Sequence, residues 1–339
     1  MDRPTDADLD YFAGSQIQLR RAELEAQTRE FGRRSISRST ERGYRSDWAD
    51  FLEFCNEHGR RPLPADPETV ALYYAALARA GARVSTIGRR QAALKKAHQV
   101  AGLPSPTDDV RAKAVMAGIR RELGVRPVQK APLMTDLVRQ MLEKIPRDTV
   151  AGLRDRALLL LGFSSGRRRS ELVGLDVTDL REVPEGYRVL IRRSKTDQEG
   201  RGQEIGIPFG QHSETCPVGA LKAYLDASGL ESGPLFRPAT RKGELREGRR
   251  GEDGFWREWR MTDRSVALVI KHWISQAGLS PDDFAGHSLR AGLATQSAAN
   301  GAPERAIMAQ TGHTDVEMVR RYIRSGQLFD ENAADYLGL

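Results

Sequence analysis

The sequence predicts a mainly α-helical protein of two domains. The first is wholly helical. The second is mostly helical and carries a small antiparallel β-hairpin. Three observations lead there. Apolar residues recur with a helical period along most of the chain. The stretch GVRPVQKAPLM, residues 124–134, gathers prolines, a glycine and basic residues and reads as a linker. The segments GYRVLIRRSK and QEIGIPF alternate in the strand manner around a polar tip, SKTDQEGRG.

The elements follow in order. Residues 1–35 read as a weakly ordered lead-in, and 36–123 as the helical first domain. In STERGYRSDWADFLEFCNEHG, Thr40 is placed to cap a helix, and Tyr44, Trp48, Phe51, Leu52 and Cys55 share one face. DPETVALYYAALARAG opens with Pro67 and ends at Gly81. STIGRRQAALKKAHQVAGLP starts from a Ser85/Thr86 cap and stops at Gly102–Pro104, and a fourth helix covers about 108–122. The second domain, 135–339, opens with helices at 135–145 and 151–164. RSELVGLDVTDL is expected to continue helically before the hairpin. Helices follow near 217–228, 262–277, 288–300, 303–311 and 315–323, and an apolar-faced tail, LFDENAADYLGL, ends the chain.

Composition narrows the function classes. The 339 residues are 39% hydrophobic and 29% charged, which fits a globular domain pair rather than a disordered chain. No apolar run approaches the roughly 20 residues of a membrane helix. The N-terminus, MDRPTDADLDYFAG, lacks the apolar core of a signal peptide. Two cysteines, Cys55 and Cys216, show no metal-ligand spacing, so a reduced, cytoplasmic setting is expected. The net charge of +7 is uneven: residues 30–130 hold 19 basic and 11 acidic side chains. That surplus points to a polyanion, most simply nucleic acid; a solvated arginine-rich surface is the plainer alternative.

Four constellations are candidates for chemistry. His287 and Arg290 stand three apart, so they share a helix face, and both donate readily to phosphate oxygens. In GRRRSEL (166–172), Glu171 is spaced to orient the guanidinium of Arg168. Lys195 at the hairpin tip is a cation able to protonate a leaving oxygen. In GHTDVEMVRRYI (312–323), His313 follows a turn glycine and Tyr322 lies nine residues on, within a helix. Each has a plain alternative: a capped helix start, a solvated arginine patch, a turn lysine, a core tyrosine. PERAIMAQTG before the last segment also has the look of a helix-turn-helix, which reads DNA without catalysis.

Taken together, the order Arg, Lys on a hairpin, His-x-x-Arg, His, Tyr, after a basic helical domain, resembles the tyrosine recombinase (phage integrase) family. The likeness runs from about residue 36 to the end, through CNEHGRRPLPADPETV, GLPSPTDDV, RRSKT, GHSLRAG and IMAQTGHTDVEMVRRYIRS. It implies a core DNA-binding domain and a catalytic domain. It makes Tyr322 the nucleophile that forms a 3′-phosphotyrosine, and Arg168 and Arg290 the clamp on the scissile phosphate, with Glu171 supporting Arg168. Lys195 becomes the acid for the departing 5′-hydroxyl. His287 would accept the phenol proton or donate to the phosphate, and His313 would donate a further hydrogen bond. Arg167 and Arg169 stand where the family usually has apolar residues.

The resemblance further implies no metal and no cofactor, since two guanidiniums and two imidazoles stabilise the charge that builds on the phosphate. The partners it implies are double-stranded DNA with an inverted-repeat target and further copies of the chain. Four protomers would assemble on two sites through a Holliday junction, with the tail 328–339 packing on a neighbour. A bacterial or phage protein at the nucleoid is expected. For reading the DNA, Thr86, Arg89 and Arg90 lie near the start of one helix, and Arg42 and Arg45 lie on another. Arg241, Lys242 and Arg264 match basic DNA-contacting positions of the family. A type IB topoisomerase shares the chemistry with little sequence choice. A helix-turn-helix regulator would need neither Tyr322 nor Lys195.

The charge surplus of 30–130 predicts counterion release on binding, so affinity for duplex DNA should fall roughly a thousandfold or more between about 50 and 200 mM salt. Fluorescence anisotropy across that range checks it; a flat response would remove the polyanion reading.

Overall fold

The computed structural model describes residues 23–24, 26–28, 36–125, 130–194, 197, 199–326 and 337. Most of the expected lead-in 1–35, the centre of the linker at 126–129, Lys195, and the tail 328–339 apart from Leu337 lie outside the described residues. The chain divides into two compact units, Met1–Val128 and Gln129–Leu339.

Four helices build the core of the first unit: α1 (Arg38–Glu57), α2 (Pro67–Arg79), α3 (Val84–Val100) and α4 (Val110–Leu123). Their starts follow local chemistry. Ser37, not Thr40, caps α1, because the Ser37 hydroxyl accepts from the Thr40 amide at 3.2 Å and places Thr40 in the first turn. Asp66 caps α2 through the Thr69 amide, with Pro67 at the first helical position. α3 begins one residue before the expected Ser85/Thr86 cap, from Arg83, whose side chain makes no capping bond. α1 packs on α3, and α2 on α4. The core they share includes Phe51, Cys55, Val70, Tyr73, Tyr74, Ile87 and Leu94.

The second unit is built around α6 (Val150–Ser165), buried on all sides, with α8 (Pro217–Ser228) and α10 (Ser288–Ala299) against it. The run ALLLL explains that burial. Three charged residues go in with it, and each is satisfied. Arg154 pairs with Asp155, Asp155 also accepts from the Trp273 indole at 2.8 Å, and Arg156 donates to the Leu142 and Glu214 carbonyls. α5 (Thr135–Lys144), α7 (Arg169–Gly174), α9 (Asp263–Gln276), α11 (Glu304–Thr311) and α12 (Val316–Gly326) are the other α-helices of this unit among the described residues.

RSELVGLDVTDL does not stay helical. α7 stops at Gly174, and a 3-10 turn, Val177–Asp179, leads into strand β1, Leu180–Val183. The aspartates decide this. Asp179 accepts from the Asp176 amide at 2.8 Å, closing a local turn that competes with the helix ladder. Arg192 binds both carboxylates, and Arg260 binds Asp176. β2 (Gly186–Ile191) and β3 (Gln203–Pro208) form the expected hairpin, and β1 joins it in a three-stranded antiparallel sheet of order β1-β2-β3. A second hairpin, β4 (Gly248–Arg250) with β5 (Trp256–Glu258), was not expected from the sequence. Among the described residues no helix is long and apolar enough to cross a membrane.

A separate, small core joins the last three helices. It consists of Ala294, Ala298, Ile307 and Val319, with Tyr322 and Ile323 packed at its side. Close approach on the other side of α10 depends on Gly292. A Cβ there would lie 1.9 Å from the Leu133 carbonyl oxygen, a backbone atom that cannot step aside. Gly292→Ala is therefore expected to destabilise the second unit by about 1–3 kcal/mol, as overpacking does. Urea denaturation followed by circular dichroism reads the shift; an unchanged midpoint would contradict this packing of α10.

Candidate active site

Two left-handed glycines deliver the polar residues. α6 ends at Gly166 (φ +57°), and the chain turns directly into Arg167, Arg168 and Arg169. α11 ends at Gly312 (φ +68°), and the next residue is His313. α10 starts at His287, its N-cap, and carries Arg290 in its first turn. α12 carries Tyr322.

Arg290 ties these turns together. Its side chain is 3% exposed and donates to the Gly166 carbonyl at 2.8 Å and to the Thr311 carbonyl. Both helix C-termini thus hand a carbonyl to one cation. The Nη2 of Arg290 is buried without a hydrogen-bond partner. Burial, and then the neighbouring Arg168, pull its pKa down to about 10, still well above neutrality. Arg168 donates to Glu171 at 2.7 Å, and the same carboxylate accepts from the Arg168 backbone amide at 3.1 Å. Glu171 therefore fixes both the arginine and the start of α7.

His313 Nδ1 lies 2.7 Å from the Thr311 hydroxyl, and its ring centroid is 5.9 Å from that of Tyr322. Burial, then Arg290 and Arg168, hold its pKa down to about 4. Arg168, Glu171, Arg290, His313 and Tyr322 are thus gathered in one place, with His287 exposed one turn before Arg290. Lys195 lies outside the described residues, but its hairpin reaches the same place: Gln203, at the start of β3, accepts from Arg167 at 3.1 Å and donates to the Ala309 carbonyl at 3.2 Å.

Three contributors escaped the sequence reading. Arg167 is 2% exposed and links the end of α6 to β3 and α11. Three consecutive arginines read as a solvated patch, and nothing in them reveals that the first is buried. Gln203 and Thr311 stand in segments already singled out, QEIGIPF and QTGH, but no spacing signal marks them.

The candidate DNA-reading residues divide. Arg42 is exposed, and so is Arg45, which pairs with Glu41 at 3.1 Å. Thr86 is half-buried on α3. Arg89 is half-exposed and bound to the buried Asp47. Arg90 is 18% exposed and donates to Asp50 and to the Tyr73 hydroxyl. Arg90 is therefore engaged inside its own unit, and base contact by Arg89 would cost its bond to Asp47. Arg241, Lys242 and Arg264 are exposed on the second unit.

The depressed pKa of His313 makes stability depend on pH. Between its unfolded value, near 6.5, and about 4, the unfolded chain binds a proton that the folded chain does not. Folding stability is therefore complete above pH 6.5 and falls as pH drops toward 4, by at most about 3 kcal/mol before solvent screening. His313→Gln should lose this slope. Urea titrations of both proteins at pH 7, 6, 5 and 4.5 check it, and parallel curves would contradict the buried, neutral imidazole.

Residues 133–327 match the model described as the phage integrase family, and residues 31–102 match that of the phage integrase N-terminal SAM-like domain. An integrase/recombinase XerD homolog of Selenomonas ruminantium is 39% identical over 303 residues, 88% of this chain and 85% of that protein. Recombinase Cre of Escherichia phage P1 is 26% identical over 311 residues, 86% of each chain. A lambda integrase tetramer bound to a Holliday junction has the same fold, with a TM-score of 0.60 at 14% identity over 98% of this chain and 91% of that one. With more than half of its length matched by the family model, and with relatives aligned along most of the rest, this chain belongs to the phage integrase family and is a tyrosine recombinase.

Proposed function

We propose that this protein is a site-specific recombinase that cuts and rejoins duplex DNA through a covalent 3′-phosphotyrosine at Tyr322. The observation that carries the reading is the convergence of Arg168, Arg290 and His313 on Tyr322, with a buried Nη2 of Arg290 left unpaired. An unpaired buried donor costs about 1–3 kcal/mol in the free protein. A non-bridging phosphate oxygen offers that donor an acceptor, and its charge suits three buried or half-buried guanidiniums.

The chemistry then follows from the parts. Arg290 and Arg168 hold the scissile phosphate, and Glu171 keeps Arg168 aimed. The positive charge is already in place, so the transition state needs little reorganisation to be stabilised. Tyr322 Oη attacks phosphorus as its phenol proton passes to His287, and the 5′-oxygen leaves, taking a proton from Lys195. The phosphotyrosine conserves the energy of the broken phosphodiester, so a second 5′-hydroxyl can reverse the step on a new partner strand. His287 borders the same phosphate from the start of α10.

Larger assembly belongs to the same proposal. Relatives solved on DNA core sites and as a tetramer on a Holliday junction support four protomers on two inverted-repeat sites. The tail 328–339 is assigned the contact between neighbouring protomers, and Arg42, Arg45, Thr86, Arg89, Arg241, Lys242 and Arg264 the DNA contacts. A regulator that only reads DNA would have no use for a buried arginine pair beside a tyrosine.

Tyr322→Phe removes one oxygen with little change of shape. It is expected to abolish covalent adduct formation on a nicked target duplex while leaving DNA binding intact. A denaturing gel of the protein–DNA adduct reads the outcome, and an adduct surviving in the variant would overturn the assignment.

A further inference from the structure

β3 is an outer strand of the three-stranded sheet, and polar side chains meet its free edge. Gln310 of α11 donates to the Gly206 carbonyl at 3.1 Å and to the Ser164 carbonyl of α6 at 2.8 Å. At the start of the strand, Gln203 accepts from Arg167 at 3.1 Å and donates to the Ala309 carbonyl of α11 at 3.2 Å. Arg167 donates to that same carbonyl at 3.4 Å, so a guanidinium, an amide and a carbonyl close a triangle. Gly312 leaves room for it, since a Cβ there would lie 2.5 Å from Arg167 Nη1. Arg167 is buried, its acceptors are neutral, and among the described residues its Nε has no hydrogen-bond partner. A cation so placed lowers stability relative to an apolar residue, so packing alone does not account for it.

The triangle leads, by a short chain of bonds, to the residues that bracket Lys195. Gly202 precedes Gln203, and its amide donates to the Asp197 carboxylate at 2.8 Å. The Asp197 amide donates to the Ser194 hydroxyl at 3.0 Å. Lys195 stands between Ser194 and Asp197 in the sequence. On the other limb, Arg192 Nε donates to Asp179 at 2.7 Å, in the 3-10 turn before β1. The loop between β2 and β3 thus has two feet, Arg192 on that turn and Gln203 on Arg167 and α11.

We infer that Arg167 and Gln203 form a latch that seats the foot of the β2–β3 loop on α11, which makes Arg167 a positioning residue for protonation of the departing 5′-oxygen. This role rests on the recombinase reading above, with Lys195 as its acid. Arg167 directly precedes Arg168, so the phosphate clamp and the loop of the acid are referred to one turn of chain. In the step concerned, the Tyr322 oxygen forms the new O–P bond as its proton passes to His287. The P–O5′ bond breaks with its electron pair on oxygen, and the Lys195 ammonium gives that oxygen a proton and becomes an amine. Opening the latch at Gln203 displaces the loop and leaves the arginines in place, so the last transfer is the one that suffers.

The test compares two nicked target duplexes in single turnovers with saturating full-length protein. One carries the natural phosphodiester, and the other has sulfur in place of the scissile 5′-oxygen. A thiol has a pKa of about 8.5, so sulfur departs as the thiolate without an acid, whereas an alkoxide needs one. Arg167→Leu and Gln203→Leu should each slow adduct formation roughly ten- to a hundredfold on oxygen, as a small misplacement of a reacting group does, and leave the rate on sulfur near that of the wild type. Lys195→Ala should show the same pattern more strongly. Gln203 is exposed, so its variant carries the test if loss of Arg167 disturbs the fold. Latch variants slowed equally on oxygen and sulfur, or on neither, would overturn the inference while a sulfur-restored Lys195→Ala keeps the acid assignment. A Lys195→Ala protein slowed equally on both would overturn that assignment and the latch's role with it.

Discussion

One buried guanidinium organises the second unit. Arg290 is buried and donates from Nη1 to the carbonyls of both Gly166 and Thr311, while its Nη2 is left unpaired. These carbonyls belong to the last turns of two different helices, groups that a helix leaves without an internal partner. A single cation therefore satisfies two helix ends and fixes the distance between them. Everything chemical hangs from those ends: Arg168 and Glu171 follow the first, and His313 follows the second. α10, which supplies Arg290, lies against α6 on one side and α12 on the other, so the main core and the tyrosine are referred to the same helix.

The arrangement is electrostatically one-sided. Arg167 and Arg290 are buried and Arg168 nearly so, yet Glu171 is the carboxylate that Arg168 binds. Arg167 answers to a glutamine and a carbonyl, and Arg290 to carbonyls alone. Placing like charges together in a poorly solvated place costs stability. The depressed pKa values of Arg167, Arg290 and His313 express that cost, with burial its leading cause in each. Replacing Arg167 by an apolar residue, as is usual at this position in the family, would lower the cost. Its retention buries a cation where the hairpin strand β3 meets α11. A site of this kind favours an anion and repels a metal ion, which agrees with a reaction that draws its positive charge from side chains.

Much of this was legible in the sequence, and the failures have particular causes. The span of α9 followed from periodicity because Val266, Ile270 and Ile274 recur on one buried face. The spacing of His287 and Arg290 placed both on one helix, but it could not say that one is exposed and the other buried. Periodicity also missed the end of α7, because VGLDVTDL keeps an apolar spacing while two aspartates close a turn across it. Caps were misplaced in α1 and α3, where serines and threonines cluster near the helix start and spacing alone does not say which residue stands at the cap. The fate of Arg90 was hidden for a different reason. Its partners, Asp50 and Tyr73, lie 40 and 17 residues away, and only tertiary packing brings them to it. Basic residues at a helix start look alike in sequence whether they face a groove or an internal carboxylate.

The placement of Tyr322 links stability to function. Its helix rests on a core of four buried residues, two of them alanines, apart from the large core around α6. So small a cluster buries far less apolar surface than the main core, and at roughly 25 cal/mol per Å² it contributes correspondingly less to holding α12. Elements that open at low cost are drawn from such regions. The proposed phosphate-binding groups behave differently, since Arg290, Arg168 and Glu171 are bound to α6, α7 and α10 at the edge of the main core. The arginine cluster is therefore the firmly held part, and Tyr322, the proposed nucleophile, is the part whose position a neighbouring chain or DNA would bias with little energy. The proposed strand exchange requires that some protomers' strands be cut while others are spared, and a weakly held Tyr322 beside firmly held Arg168 and Arg290 is a physical arrangement that permits it.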